Sequence, residues 1–315
     1  MDQLKSIGFY TLCDKRAREA SIDQPLARCE LILTDRCNFK CPYCRGPKHK
    51  RDPFMPYDQA ERVVRLWAAE GLQNIRFSGG EPTLYKGLPD LVSLAKSLGV
   101  KRVALSTNGS AKLCYYEKLI ECGVNDFSIS LDDCTPEGIK LMSGGLDVWD
   151  RLINNIKEIS KLTYVTVGMV FNEKNVSKAR ESVMFAAGLG VSDIRVLSSA
   201  QFNAALNELK DLPDEVLDRF PILNYRIQNF RNGYGVRGMS KKDSNRCKIV
   251  LDDMAVAGDK HFACIIHLRE GGKPIGFVGS NMRREREEWY NSHDTHKDKI
   301  CFDNCLDCII QYNNS

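Results

Sequence analysis

Six short runs of apolar and β-branched residues recur along the first two thirds of the chain, at 30–34 (ELILT), 74–78 (NIRFS), 102–107 (RVALST), 126–131 (DFSISL), 164–170 (YVTVGMV) and 193–198 (DIRVLS). Runs of this length and composition read as strands. Between them, apolar residues return every three to four positions. Segment 59–70 places Val63, Val64 and Trp67 on one face, and 87–98, 115–122, 149–161 and 178–188 behave alike. Strand–helix alternation at this spacing predicts βα units around a parallel sheet. Six units predict an α/β fold built as a partial, TIM-like (β/α)6 barrel. After Gln201 the alternation stops. Residues 203–220 read as one helix, and beyond them turn residues and charges dominate. The pattern divides the chain into an N-terminal extension (1–27), a barrel core (28–205) and a second unit (206–315).

Composition adds limits. The 315 residues suffice for one large domain or a domain with an extension. A net charge of +4 is too mild to argue for nucleic acid, and no nucleic-acid partner is expected. No stretch reaches the roughly 18 apolar residues of a membrane span, and residues 1–19 lack an apolar signal core. The expected location is the cytosol. Thiols stay reduced there, so thirteen cysteines, an odd number, argue for metal or catalysis rather than a disulfide framework.

The strongest chemical signal follows the first strand: Cys37-Asn-Phe-Lys-Cys41-Pro-Tyr-Cys44. Three thiolates spaced C-x3-C-x2-C can wrap three irons of a [4Fe–4S] cube and leave the fourth open to an external ligand. Structural zinc normally closes four ligands, yet this spacing alone leaves zinc open. Further polar clusters stand at the ends of later strands. They are Ser78-Gly79-Gly80-Glu81-Pro82-Thr83, Thr107-Asn108-Gly109, Ser130-Leu131-Asp132, Val170-Phe171-Asn172, and Arg195 with the 198–201 segment. Adjacent glycines admit close approach to the backbone, and Glu81 can accept from an ammonium group. Each cluster alone is a common turn. Together they lie where β/α barrels carry their active sites.

With these motifs in order over about residues 28–205, the chain resembles the radical S-adenosylmethionine (SAM) superfamily, nearest to its molybdenum-cofactor cyclase and peptide-modifying members. Cys37, Cys41 and Cys44, with Tyr43 as the loop's aromatic, are similar to the family's cluster loop. The segment Ser78 to Pro82 looks like its SAM-amine motif. The resemblance implies that Ser106, Thr107, Asn108 and Ser130 contact the ribose and carboxylate, that Asn172 lies at an adenine or ribose position, and that Arg195 meets the SAM carboxylate. It implies two cofactors, a [4Fe–4S] cluster and SAM, and an electron donor such as flavodoxin or ferredoxin. One electron then splits SAM into methionine and a 5′-deoxyadenosyl radical that takes hydrogen from an unactivated carbon.

The tail repeats the C-x3-C-x2-C spacing at Cys301, Cys305 and Cys308, with Cys247 and Cys264 upstream and Gly258 between. This resembles the twitch and SPASM extensions, which hold auxiliary clusters. Five thiols, against seven in a full SPASM domain, suit one auxiliary [4Fe–4S] cluster with one cysteine spare, a zinc knob being the alternative. Cys134 stands where it could donate a hydrogen atom to a substrate radical, or be an incidental thiol. Arg45, Lys48, His49, Lys50 and Arg51 form a basic run that would draw an anionic substrate or simply be solvated. Residues 283–288 (RREREE) read as an exposed helix face. The leading expectation is hydrogen abstraction from a small biosynthetic substrate such as a nucleotide, sugar or antibiotic precursor. Modification of a ribosomally made peptide, glycyl-radical activation and a zinc-stapled binding module are the alternatives.

Overall fold

A computed structural model describes residues 14–45, 54–200, 202 and 206–315. In chain order the elements are α1 (Asp14–Glu19), β1 (Arg28–Thr34), α2 (Tyr57–Ala69), β2 (Asn74–Gly79), α3 (Leu88–Ser97), β3 (Arg102–Thr107), α4 (Leu113–Cys122), β4 (Asp126–Ser130), α5 (Pro136–Met142), α6 (Trp149–Leu162), β5 (Tyr164–Phe171), α7 (Ala179–Ala187) and β6 (Asp193–Ser198). Then follow α8 (Asp214–Leu217), α9 (Pro221–Arg231), α10 (Ile249–Asp252), β7 (Asp253–Ala257), β8 (Lys260–Phe262), α11 (Ile265–Arg269), β9 (Gly276–Phe277), α12 (Met282–Ser292), α13 (Lys299–Asn304) and α14 (Asp307–Asn314). All six expected strands form, and each expected helix among them forms within two residues of its predicted bounds.

The chain folds as two units. The first contains residues 1–36, 45–104 and 237–315, the second 37–44 and 105–236. In the first, β1 is central. It pairs in parallel with β2 on one side and with β7 on the other, Arg28 opposite Asp253 and Ile32 opposite Ala257. Two antiparallel additions, β8 and β9, extend the sheet beyond β7. The helix α2 buries Ala60, Val63, Val64 and Trp67, the three-to-four spacing read from the sequence. Ile32, Ala255, Ala257, Phe262 and Leu268 form one buried cluster, so the tail's first strands share a core with β1.

In the second unit β4, β5 and β6 pair in parallel. Buried Asp193 accepts from the Ile222 and Leu223 amides at the start of α9, which ties that helix to β6. Burial raises the Asp193 carboxyl to about 6 in spite of these bonds.

Two expectations fail. No single helix spans 203–220. Residues 203–205 lie outside the described residues, Asn207–Leu209 is one 3-10 turn, and Pro213 separates it from the short α8. A proline inside would cost a backbone hydrogen bond, so the long helix starts instead at Pro221, where the missing N–H is harmless. Nor is 283–288 simply an exposed face. Arg284, Glu287 and Glu288 are exposed, but Arg286 is 1% exposed. Its Nε donates to Val250 O (2.7 Å), Nη1 to Phe262 O (2.9 Å), and Nη2 to Ala263 O (3.1 Å) and Asp253 O. Nη1 also lies 3.2 Å from Nδ1 of His261, whose Nε2 meets Glu285 at 2.8 Å.

Breaking a buried, hydrogen-bonded charge typically costs about 3–5 kcal/mol. Arg286→Leu, which orphans four buried carbonyls, is expected to lose stability on that scale in urea unfolding, and Arg284→Leu to change it by about 0.5 kcal/mol or less. Burial first, and then the Arg286 charge, holds the His261 imidazole down to about 4. A histidine kept neutral in the fold binds its proton first in the unfolded chain. Its stabilising effect is therefore complete above about pH 6.5 and lost as pH falls toward 4. The difference in melting temperature between the parent protein and His261→Gln should show that slope, because the raised Asp193 carboxyl, which slopes the other way, is common to both and cancels.

Candidate metal centres

The first three cysteines follow β1 on a loop that belongs to the second unit. Cys37 and Cys44 are exposed and Cys41 is partly buried. The loop is fastened at both ends by side chains of that unit. Near Cys37, Asn108 Nδ2 donates to Asn38 Oδ1 (2.8 Å) and lies 3.9 Å from the Cys37 sulfur, while Asn38 Nδ2 donates to Ser110 Oγ (2.9 Å). Near Cys44, the Tyr43 hydroxyl donates to Asp132 Oδ2 at 2.6 Å. Asp132 is itself held, its Oδ1 accepting the Val170 amide and its carbonyl accepting Asn175 Nδ2. Desolvation raises the Asp132 carboxyl to about 6, even though Tyr43 and Val170 donate to it.

Burial pushes the Cys41 thiol up to about 12, reinforced by Asp132, Cys44 and Cys37. The three sulfurs are thus close enough to repel as thiolates. A bound cation would reverse that penalty, so the donor set fits a metal centre.

Gly79 and Gly80 sit in the first unit, packed on the end of β1. A Cβ on Gly79, whose φ is +147°, would lie 2.3 Å from Thr34 O, and one on Gly80 2.2 Å from Arg36 O. The Gly80 and Glu81 amides donate to those same two carbonyls at 2.7 and 2.8 Å. The glycines are therefore required by the chain's own backbone, a constraint separate from any approach of a ligand. Glu81 is buried and caps the Pro82–Leu84 turn, its Oε1 accepting from the Thr83 amide and hydroxyl. Ser78, also buried, accepts from Arg269 Nη2 at 3.3 Å.

The remaining expected cofactor residues all belong to the second unit. Ser106 and Thr107 end β3 and Ser130 ends β4. Thr107 Oγ1 pairs with the Tyr116 hydroxyl at 3.0 Å. Asn172 is 3% exposed and caps its own turn through the Lys174 amide. Arg195 donates to Ser128 Oγ at 3.3 Å. Cys134 is partly buried on the loop between β4 and α5. Of the basic run, residues 48–51 lie outside the described residues, and Arg45 pairs with Glu270.

In the tail, Cys247, Cys264, Cys301 and Cys305 line one cavity with Met239, Ile266, His267, Ile300 and Ile309. Cys308 is buried on α14, outside that lining. Burial, then Cys247, Cys264, Cys301 and Cys308 in turn, push the Cys305 thiol well above its usual range. Four thiols in an apolar cavity, each of which would oppose the others' ionisation, again fit a metal centre.

A parallel βα fold with a three-thiol loop after its first strand, and a second thiol site in its tail, is the architecture of a metallocofactor-binding βα protein. Residues 31–186 match the family model described as "Radical SAM superfamily", and the chain belongs to that superfamily. Its curated relatives include proteins named "Probable GTP 3',8-cyclase". That of Pyrococcus horikoshii is 34% identical over 149 residues, 47% of each chain. That of Sulfolobus acidocaldarius is 29% identical over 170 residues, 53% of this chain and 54% of that one. The matched region thus spans about half the length of these relatives. Among solved structures, Streptococcus suis SuiB bound to S-adenosylmethionine shares the fold at a TM-score of 0.61, with 16% identity over 88% of this chain and 68% of that one. The AdoMet-bound anSMEcpe does so at 0.58, with 16% identity over 83% and 80%. No helix among the described residues is long and apolar enough to cross a membrane.

Asn38, Ser110 and Asn175 were not anticipated, and Asp132 was noted only as part of a strand-end turn. The spacing marks polar residues at strand ends without showing which face the chain. An unmet buried hydrogen-bonding group costs about 1–3 kcal/mol. Tyr43→Phe is therefore expected to loosen the cysteine loop, read as faster iron loss to a chelator after anaerobic reconstitution. Tyr57→Phe, on the exposed start of α2, should leave that rate unchanged.

Proposed function

We propose that this radical SAM enzyme holds two iron–sulfur clusters and abstracts a hydrogen atom from a small biosynthetic substrate, a nucleotide foremost. The carrying observation is the three-thiol loop, in which Cys37, Cys41 and Cys44 gather at one place with a partly exposed face. Three thiolates hold a [4Fe–4S] cube by three corners and keep one iron for SAM. Bound there, cluster and SAM supply one-electron cleavage to a 5′-deoxyadenosyl radical.

The chain's own residues bind and orient. In this reading Glu81 accepts from the SAM amine, and the Gly79–Gly80 turn fixes where that carboxylate stands. Ser106, Thr107, Asn108, Ser130, Asn172 and Arg195 are assigned to the ribose, adenine and carboxylate. Asp132, through Tyr43, and Asn108, through Asn38, hold the cysteine loop. Cys134 is the place for a hydrogen-atom donor. The four thiols lining the tail cavity, Cys247, Cys264, Cys301 and Cys305, are assigned to an auxiliary [4Fe–4S] cluster with Cys308 spare. Four ligands leave no open iron, so this cluster serves electron transfer or structure. The electron donor is a small redox protein of the flavodoxin or ferredoxin kind. A nucleotide substrate is supported by the relatives named as GTP 3',8-cyclases.

Under anaerobic reduction, Cys37→Ala, Cys41→Ala and Cys44→Ala should each abolish 5′-deoxyadenosine formation. The parent protein should contain about eight irons, the variant lacking all three thiols about four, and Cys308→Ala about eight. Undiminished SAM cleavage in any loop variant would overturn the assignment. One zinc and no iron in the triple variant would replace the auxiliary cluster with a zinc staple.

A further inference from the structure

Two of the tail's cavity-lining cysteines are carried by separate elements. Cys264 caps the start of α11, and its sulfur accepts the His267 amide at 3.4 Å. Cys301 lies in α13, whose cap is Asp298, with Oδ1 accepting the Ile300 and Cys301 amides at 2.8 and 3.3 Å. A side-chain hydrogen bond joins these elements: His267 Nε2 meets Asp298 Oδ2 at 3.2 Å. His293 Nε2 stands 3.1 Å from the same oxygen. Ligand atoms of His267, Asp298 and Cys301 all lie within 4.8 Å of one another.

The histidine is placed with little freedom. Its side chain is 6% exposed and lines the cavity beside the four thiols. Trp289 meets its ring edge-on at 6.5 Å and stacks on His293 at 3.9 Å. Gly272 closes over the ring, where a Cβ would lie 2.2 Å from Nδ1. That buried nitrogen has no hydrogen-bond partner.

We propose that His267 and Asp298 are positioning residues for the tail cluster, and that the pair sets its reduction potential; the proposal rests on the auxiliary-cluster reading above. A carboxylate beside a cluster opposes the arrival of an electron, more strongly in a low-dielectric cavity than in water. The imidazole N–H that bonds the carboxylate offsets this field. Charge and hydrogen bonding around a cluster are what tune its potential. The two partners therefore act in opposite directions, whereas loosening of the cavity would move the potential one way from either side.

The test uses the full-length Cys37→Ala/Cys41→Ala/Cys44→Ala protein, reconstituted with iron and sulfide, so that only the tail cluster is present. Asp298→Asn keeps an oxygen for the cap and removes the charge, and should raise the midpoint potential. His267→Phe keeps a ring against Trp289 and removes one of the donors that screen the carboxylate, leaving His293 and the two backbone amides, and should lower it. Both should hold about four irons. If His267→Phe loses iron, His267→Gln, which restores an N–H donor, should regain it; iron loss in both would overturn the proposal. Potentials unmoved in both variants, or shifted the same way, would also overturn it while leaving the cluster in place. Absence of iron from the parent triple variant would overturn the cluster reading and this proposal with it.

Discussion

A guanidinium sealed from water must find acceptors among the groups that seal it, and Arg286 organises the tail on that condition. Taking an ion out of water costs several kcal/mol, and only well-placed hydrogen bonds recover it. Its acceptors are the carbonyls of Val250, Asp253, Phe262 and Ala263, from four points on α10, β7, β8 and the turn after β8. Satisfying one side chain thus fixes the start of β7 and the end of β8. The next residue after Ala263 is Cys264. The position of one cavity thiol is therefore a consequence of where a buried arginine obtains its acceptors. Burial also lowers the Arg286 pKa, to about 10, which leaves the group charged at neutral pH and the condition in force.

Within the same unit the tail's strands are joined to β2 through β1. Its two parallel neighbours come from distant parts of the chain, β2 from the next βα unit and β7 from 225 residues later. The register is pinned at one end by Arg28 against Asp253, with Nε 3.1 Å from the carboxylate, and along the strand by the apolar cluster of Ile32, Ala255 and Ala257. A one-residue slip would turn the buried side chains to the opposite face, so the pairing tolerates no shift. Arg269 crosses the same face, 3.4 Å from Glu30 and 3.3 Å from Ser78, and brings the helix that begins at Cys264 against the strand that ends in the double glycine.

Most of the barrel could be read from the chain because its signals are local. Each βα unit combines a β-branched run with a helix of regular apolar period, and the strands came out within two residues of expectation. The tail was less legible. Its strands, Asp253–Ala257, Lys260–Phe262 and Gly276–Phe277, run five residues or fewer, and the first of them pairs with β1, a partner remote in sequence, while the other two build outward from it. Arg286 was misread for a related reason. Charges at consecutive helix positions look solvated until the packing of one face is known, and the sequence holds no trace of four distant carbonyls. At the centres, cysteine spacing revealed the thiols but not their supports. Asp132 lies 89 residues from Tyr43 and His267 31 residues from Asp298, distances that no motif records.

The two thiol sites differ in a way that follows from their settings. The loop site is fastened by the amides of Asn38 and Asn108 and by Tyr43 on the Asp132 carboxylate, with Cys37 and Cys44 exposed to solvent. The tail site is enclosed by isoleucines and a tryptophan, and each of its thiols is held above its usual range chiefly by burial. A thiol that resists ionisation when empty gives up that resistance when a metal binds, so ligation there is coupled strongly to folding. An open site suits exchange of a reactant at the metal, and a sealed one suits a cluster that stays in place and changes only its charge. The imidazole–carboxylate pair of His267 and Asp298 stands beside the sealed site and follows the same division. Potential is worth tuning where electrons are the only thing that moves.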